Sequence, residues 1–262
     1  YNRGRERNSV PDTLDREIVR DAARFLNDGE KMQLSYAVQN THRTVGTRTS
    51  SHIVQNFGMR NKLQPDHLTV KLKGSAGQSL GAFAAPGLKI EVAGDANDYV
   101  GKGLSGGIIV VRPPMASPLM ASENTIIGNT VLYGATDGLL FAAGRAGERF
   151  AVRNSGAKVV VEGCGSNGCE YMTGGVAVIL GSVGANFGAG MTGGMAYIYD
   201  PNETAFEFLN MDSLVTCRVG SSVWEEQLYS LLKMHFEETS SQKAEEILQH
   251  WDTEKTKFLQ IC

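Results

Sequence analysis

A glycine followed directly by an apolar run recurs through the middle of the chain, and this repeat constrains the fold more than any other feature. The glycines that open these runs are Gly87, Gly106, Gly138, Gly156, Gly174 and Gly193. Successive members are 19, 32, 18, 18 and 19 residues apart, and the long step contains a polar, proline-bearing insertion near residues 113–124. The sequence is therefore an internal repeat with a unit of 18 or 19 residues.

The length of the unit selects the architecture. Each unit holds an apolar strand, a glycine turn, a second short strand and another turn; the second strands are predicted at 99–100, 131–133, 150–152, 171–172 and 186–187. A βαβ unit needs about 30 residues, which excludes a doubly wound sheet. The unit is long enough for one rung of a parallel β-helix, whose strands stack about 4.8 Å apart. We predict a mainly β chain with about six to seven rungs, on the spacing of the repeat.

Glycine content supports this interpretation. Residues 74–194 hold 26 of the 31 glycines, and glycine is favoured where φ is positive or where neighbouring backbones crowd. We therefore predict structural turn positions, and no catalytic role, for Gly87, Gly94, Gly101, Gly103, Gly106, Gly107, Gly138, Gly156, Gly163, Gly174, Gly181, Gly188, Gly190, Gly193 and Gly194.

The two flanking segments carry helical patterns. A helix is predicted from an N-cap at Asp12 to a stop at Gly29, and the whole of 10–65 is interpreted as helical. At the other end, Ser222 and Glu225 match a capping box, and a second amphipathic stripe follows Ser241. The predicted organisation is a helical N-terminal lead-in and cap (1–66), a glycine-rich parallel β-helix (67–200) and a helical C-terminal cap (201–262).

The short motifs with catalytic associations are better explained by the repeat. Gly101–Gly106 fits G-x-G-x-x-G, but a β-rich run follows it instead of a helix, and the same pattern returns at 188–193. Ser105 lies in a G-x-S-x-G match without the strand–elbow–helix context. Cys164 and Cys169 lack further metal ligands nearby. We predict no catalytic, cofactor-binding or metal-binding residue in this chain.

Composition excludes several other classes. A formal net charge of −3 gives no basic footprint for nucleic acid, and the Arg3, Arg5 and Arg7 cluster is alternated with other residues. No apolar run approaches the roughly 18 residues of a membrane helix. Four cysteines are too few for a disulfide scaffold and favour a reducing cytoplasm. The chain opens with Tyr1 and no signal peptide follows, so we expect a fragment or a processed product.

Several longer motifs resemble one known family. They are GSAGQSLG at 74–81, GDANDYVGKG at 94–103, AGERFAVRNSG at 146–156 and EYMTGG at 170–175, with NTHRTVG at 40–46. They resemble the C-terminal (GXGXG) domain of the glutamate synthase large, or alpha, subunit in its bacterial NADPH-dependent form. The likeness extends over about 12–262, effectively the whole chain.

The resemblance implies a right-handed parallel β-helix and a place in an enzyme that converts glutamine and 2-oxoglutarate into two glutamates. The whole enzyme would use FMN, an iron–sulfur cluster and NADPH. The implied partners are the upstream amidotransferase and FMN-binding domains of the same subunit, with the small electron-donating subunit as a further candidate. None of the four cysteines matches the cluster motif, and no catalytic or cofactor residue is carried over.

Two functions from different classes remain at this point. The first is a non-catalytic structural domain of glutamate synthase, holding amidotransferase and synthase domains in register for ammonia channelling. The second is a free-standing β-helix interaction subunit of a split synthase or a related oxidoreductase complex. The motifs also resemble glycine-motif β-helices in a subunit of formylmethanofuran dehydrogenase and in split archaeal synthases. A third hypothesis is an independent nucleotide-binding enzyme. The sequence does not favour it, because no helical pattern follows the G-x-G-x-x-G match at 101–106.

Overall fold

A computed structural model describes residues 12–60, 62–212 and 214–262 of the 262-residue chain. The predicted basic cluster at Arg3, Arg5 and Arg7 lies outside the described residues. Each apolar run predicted from the repeat is a strand. The strands are β1 (Met32–Val38), β2 (Leu68–Ala76), β3 (Leu88–Ala96), β4 (Ser105–Arg112), β5 (Thr125–Ile127), β6 (Asp137–Ala142), β7 (Arg145–Ala146), β8 (Ser155–Val161), β9 (Thr173–Ile179), β10 (Gly193–Tyr199), β11 (Thr216–Arg218) and β12 (Phe258–Ile261).

These strands form one predominantly parallel sheet that does not close into a barrel. Its path is β1-β2-β3-β4-β6-β8-β9-β10-β12-β11, with β5 and β7 on a short branch beside β3. The register is continuous between β2 and β3, where Leu68 pairs with Leu88, and between β6 and β8, where Leu140 pairs with Val159. It shifts near the start of β4, β8 and β10, at the glycines that precede each apolar run. Only the last two steps are antiparallel, where β12 pairs with β10 and with β11. The fold is mainly β, as predicted.

Helices lie at both ends of the chain. They are α1 (Leu14–Asp21), α2 (Ala23–Asp28), α3 (Thr47–Phe57), α4 (Ser222–Thr239), α5 (Gln242–Gln249) and α6 (Trp251–Glu254). Ile18, Phe25 and Ile53 from the first three are fully buried and belong to the same apolar cluster as the inward side chains of the sheet. Leu228, Leu232 and other residues of α4 and α5 instead cover the outward face of the sheet, in a second cluster with Val160 and Tyr197.

Between successive long strands, the repeats contain an unusual run of turns that hydrogen-bond to one another, which we call the turn column. It consists of residues 79–83, 99–103, 130–134, 149–153, 167–171 and 186–190. In every one of these six segments the first, third and fifth residues have φ between 52° and 76°. The intervening residues close short turns, as where Lys102 N–H donates to the Tyr99 carbonyl over 3.2 Å.

The alternating φ directs backbone donors to both neighbouring repeats. The Gly101 N–H donates to the Leu80 carbonyl of the preceding repeat over 2.9 Å. The flanking Tyr99 and Gly103 donate instead to the following repeat, over 2.8 Å and 2.9 Å. The second short strands predicted here are therefore wrong. The segments do stack in the expected order, but turns with alternating backbone handedness replace extended strands.

The turn column and the sheet share one apolar core. Val100, Val131 and Phe150 of the column are fully buried, as are Ile109 and Leu140 of the sheet. All five belong to one apolar cluster. Each repeat thus contributes side chains to the core from both a strand and a turn segment, and their burial is the main stabilising force of the fold.

Two parts of the helical prediction are wrong. Residues 32–38, assigned to a helical segment, form strand β1, in which Met32, Leu34 and Tyr36 are more buried than the residues between them. That period of two is stabilised by the pairing with β2, a contact distant in sequence. The C-terminal segment likewise contains β11 and β12 beside its helices.

The predicted helix caps have mixed outcomes. Ser241 is the N-cap of α5 and accepts a hydrogen bond from Ala244 N–H over 3.1 Å, as predicted. The Ser222 box is wrong: α4 has Ser221 at its N-cap with no side-chain cap bond, and Glu225 accepts from Trp251 and Lys255 instead. Asp12 does not cap α1 either, since Thr13 holds that position and Asp12 pairs with Arg16.

Asp15 closes the first end of the turn column. Its carboxylate accepts from Gly46 N–H over 2.7 Å and from Arg48 N–H over 2.8 Å, at the start of α3. Gly46 precedes the first complete column segment, so its N–H has no earlier repeat to donate to. Asp15 supplies that acceptor while buried to 2% exposure, and burial raises the pKa of its carboxyl above the ordinary value.

We expect Asp15→Ala to destabilise the fold by about 2–3 kcal/mol, because two buried backbone donors and the start of α3 lose their acceptor. Asp15→Asn keeps one carbonyl acceptor and is expected to cost less than half of that. Urea unfolding of both variants measures the difference. Wild-type midpoints for both would show that Asp15 does not close the column.

Glycine substitutions separate crowding from backbone strain. A Cβ on Gly156 would overlap the Thr136 carbonyl oxygen of the preceding repeat, although φ is not positive there. A Cβ on Gly134 would meet nothing within 4 Å, but φ is +66°. We expect Gly156→Ala to cost about 3 kcal/mol through overpacking and Gly134→Ala about 1 kcal/mol through strain. Thermal unfolding compares the two, and an equal or reversed ranking would contradict the crowding argument.

Candidate functional site

The motif residues with catalytic associations all lie in structural positions. Gly101 and Gly103 are the third and fifth residues of a turn-column segment, and strand β4, not a helix, follows at Ser105. The Ser105 hydroxyl donates to the Ala84 carbonyl over 3.3 Å. Neither the phosphate-binding geometry of a dinucleotide motif nor that of a nucleophile elbow is present at these described residues.

The cysteine pair is likewise enclosed. Cys164 and Cys169 are fully buried free thiols. Burial raises the pKa of Cys164 to about 12 and that of Cys169 well above its ordinary value, so neither is a ready thiolate. Within 12–60, 62–212 and 214–262, no three His, Cys, Asp or Glu side chains come together in a way that could hold a metal ion.

The predicted turn glycines fall into two geometric groups. Ten have φ between +62° and +153°; they are Gly87, Gly94, Gly101, Gly103, Gly106, Gly138, Gly163, Gly188, Gly190 and Gly194. The other five lie against the preceding repeat, so that a Cβ would come within 2.8 Å of one of its atoms; they are Gly107, Gly156, Gly174, Gly181 and Gly193. Their assignment as purely structural residues stays a prediction.

A buried polar cluster among the described residues was not predicted from the sequence. Glu162 follows β8 and accepts a hydrogen bond from the Ser241 hydroxyl at the N-cap of α5. His235 on α4 places its Nε2 3.7 Å from Glu162 Oε1. All three side chains are almost completely buried, with exposures of 2% or less. Because 73 residues separate Glu162 from His235, no local spacing could have shown this cluster.

Ser, His and Glu also make up hydrolase triads, but this arrangement differs from a triad in its connections. Here the serine bonds to the carboxylate and to Ala244 N–H, and no bond joins it to the histidine. Glu162 Oε2 and both ring nitrogens of His235 are buried and without a hydrogen-bond partner among the described residues. The cluster therefore ties the α4–α5 junction to the sheet and offers no activated nucleophile.

Comparison with known proteins assigns the family. The family described as "GXGXG motif" matches residues 15–262. The chain belongs to this family. Two G-x-G pairs lie in the turn column, at Gly101 and Gly103 and again at Gly188 and Gly190, where the third and fifth positions of the segment have positive φ.

The curated relatives of this GXGXG domain are glutamate synthases. It is 63% identical to the glutamate synthase [NADPH] large chain of Azospirillum brasilense, over 97% of this chain and 17% of that protein. It is 47% identical to ferredoxin-dependent glutamate synthase 2 of Synechocystis, over 94% of this chain and 16% of that protein. It is 44% identical to glutamate synthase [NADH] of Schizosaccharomyces pombe, over 100% of this chain and 12% of that protein. The chain thus spans roughly a sixth or less of their length, as a glutamate synthase domain.

The GXGXG spacing has a physical explanation in the column. In each column segment the third and fifth residues both have positive φ. Two glycines separated by one residue therefore relieve backbone strain at both of these positions. At Gly103 the glycine also leaves room for the Phe83 ring, which a Cβ would contact closely. Other segments use non-glycine residues at the same sites, such as Leu132 with φ 59° and Ala151 with φ 57°. The motif of this domain therefore marks backbone geometry.

A double-mutant cycle tests the buried cluster. Glu162→Leu leaves the Ser241 hydroxyl without its acceptor, and His235→Leu leaves the carboxylate without its neighbouring ring, so we expect each to cost about 2–4 kcal/mol. The double variant is expected to cost clearly less than the two single costs together, because the contact between the carboxylate and the ring is lost only once and neither is left buried beside the other's replacement; the Ser241 hydroxyl loses its acceptor in both Glu162→Leu variants alike. Urea unfolding provides all three values. Simple additivity would show that the two side chains do not interact.

Proposed function

We propose that this chain is the C-terminal, non-catalytic structural domain of a glutamate synthase large chain, and that it forms a right-handed parallel β-helix. The observation that carries the proposal is a double ladder. The long parallel strands and the turn column are hydrogen-bonded in the same repeat order on opposite sides of one apolar interior. A sheet alone would need only the first ladder. Strand β1 adds a repeat to the six or seven rungs expected from the glycine spacing.

The ends of this rod are closed in two different ways. At the first end, α1 to α3 pack into the interior cluster, and Asp15 supplies an acceptor for Gly46. At the other end, β12 pairs antiparallel with β10, while α4 and α5 lie on the outward face of the sheet. We retain the organisation 1–66, 67–200 and 201–262, with the last segment both pairing with the edge and covering the face. Covered edges suit a rod that must not associate end to end.

The function follows from stiffness. A rod held by two ladders and a packed interior resists bending, because bending must stretch hydrogen bonds on one wall and compress side chains on the other. Such a domain can hold an amidotransferase domain and a synthase domain at a fixed separation. Ammonia passing between two active sites needs that constancy, since a misplaced junction releases it to water. The length of the relatives, several times that of this chain, favours a domain of a large subunit over a free-standing subunit.

The cofactors of the proposed whole enzyme belong elsewhere in it. The buried Cys164 and Cys169 thiols and the absence of a metal-ligating group of three within the described residues do not fit an iron–sulfur cluster. The G-x-G-x-x-G run has no helix after it to receive an FMN or NADPH phosphate. No described helix is long and apolar enough to cross a membrane. The free thiols support a reducing cytoplasm as the compartment.

Two measurements test the proposal. The purified chain, given glutamine, 2-oxoglutarate and NADPH, is expected to release no glutamate and to oxidise no NADPH; turnover would overturn the non-catalytic role.

In the intact large chain, Gly156→Ala should loosen the rod, so that the amount of glutamine hydrolysed exceeds the amount of 2-oxoglutarate consumed. Gly134→Ala is the matched control, with a ratio expected near unity. A ratio unchanged by Gly156→Ala, despite measured destabilisation, would contradict the register role.

A further inference from the structure

One repeat is longer than the others, and its extra residues expose apolar side chains. The insertion at 113–124 joins β4 to β5 and contains a short 3-10 turn at Ala121–Glu123. Met115, Leu119 and Met120 are 78%, 61% and 59% exposed. Three large apolar side chains exposed within six residues are unfavourable in water unless another surface covers them.

The insertion forms one wall of a groove of about 720 Å³. Pro113, Pro114 and Met115 line that wall, and the floor is made of small residues at the strand ends, including Gly74 and Gly94. Gly74 is exposed and Gly94 partly exposed, so the backbone at the strand ends can be reached by a bound chain, although the missing side chains of both glycines would face the preceding strand. The groove is therefore shaped for a polypeptide segment.

The charged residues that line the groove indicate which side chains a bound polypeptide segment would carry. Lys73 and Arg112 line the groove, and neither forms an ion pair with another residue in the described part of the chain. Asp95 is the one acidic residue in the lining, so the rim keeps a positive excess. Two unpaired cations beside an apolar wall favour an apolar segment that carries a carboxylate.

We propose that this groove binds an apolar, acidic segment from the part of the same large chain that lies outside this domain. The inference rests on the proposed function, and it adds the contact surface. More than four fifths of the length of the relatives lies outside the region they share with this chain. A segment tethered in cis has a high effective concentration, so even a weak groove would be occupied. The insertion is then a docking loop on an otherwise regular rod.

Methionine oxidation in the intact large chain tests the docking directly. Dilute hydrogen peroxide oxidises exposed thioethers, and peptide mass spectrometry gives a rate for each methionine. We expect Met115, which lines the groove, to oxidise at least about tenfold more slowly in the native chain than in the same chain unfolded in urea. A rate within about twofold of the unfolded chain would overturn the proposal, since this side chain would then be uncovered.

A charge-reversal variant identifies the partner. Lys73→Glu with Arg112→Glu should repel the carboxylate and raise the oxidation rate of Met115. The matched control, Lys233→Glu on the outer surface of α4, should leave that rate unchanged. Protection unaffected by the charge reversal would overturn an acidic partner, and protection lost on dilution would replace the cis segment with a second copy of the chain.

The same variant distinguishes this inference from the function it rests on. If charge reversal removes protection while glutamine hydrolysis and 2-oxoglutarate consumption stay equal, the docking contact stands and its role in register fails. If protection is absent in the wild-type chain while Gly156→Ala still uncouples the two reactions, the structural function stands and the docking site is overturned.

Discussion

The hydrogen bonds that the turn column sends to both neighbouring repeats are the constraint on which the rest of the structure depends. A non-glycine residue in the left-handed region costs about 1–2 kcal/mol, and the column contains many of them, including Leu132, Arg149 and Ala151. Such strain persists only where the surroundings over-determine it. Here Leu132 and Ala151 donate to the preceding repeat and Arg149 to the following one, while the carbonyl of each accepts from a turn within its own repeat. This geometry also builds the apolar core, because the second residue of the segments, such as Val100, Val131 and Phe150, is buried in each case.

This dependence explains what the sequence could and could not predict. Glycine positions and apolar runs predicted the strands β3, β4, β6, β8, β9 and β10. Most of these strands are largely buried on both faces, which gives a nearly continuous apolar run, while β3 alternates between buried and partly exposed residues. They did not predict the turn column. Its alternating φ falls on residues such as Tyr99, Arg149 and Cys169, whose local preferences give no sign of it. The geometry comes from hydrogen bonds between repeats, which are contacts distant in sequence.

Parts of the predictions for the two ends of the chain were wrong for a related reason. Strand β1 contains Gln33 and Ser35 and has weak strand propensity, so only its pairing with β2 holds it extended. Glu162 shows the same effect in the site. A carboxylate directly after Val159, Val160 and Val161 is a visible anomaly in an apolar run, but its partners His235 and Ser241 come from the other end of the chain. The sequence could reveal that something must pair with Glu162, and only the fold could reveal what.

Hydrogen bonds between repeats occupy many polar groups of the described residues, so few of these groups are free for chemistry. The column uses its backbone donors between repeats, and side chains are used in the same way: Asn186 donates to Asn167 Oδ1 and accepts from the Asn210 amide. Where polar side chains are buried, as at Glu162, they hold a helix junction against the sheet. Departures from regularity are then the places where a partner can be recognised. The insertion at 113–124 interrupts the repeat, exposes apolar surface and has cations beside it that no described residue pairs. A domain that only had to be stiff would have no need of it.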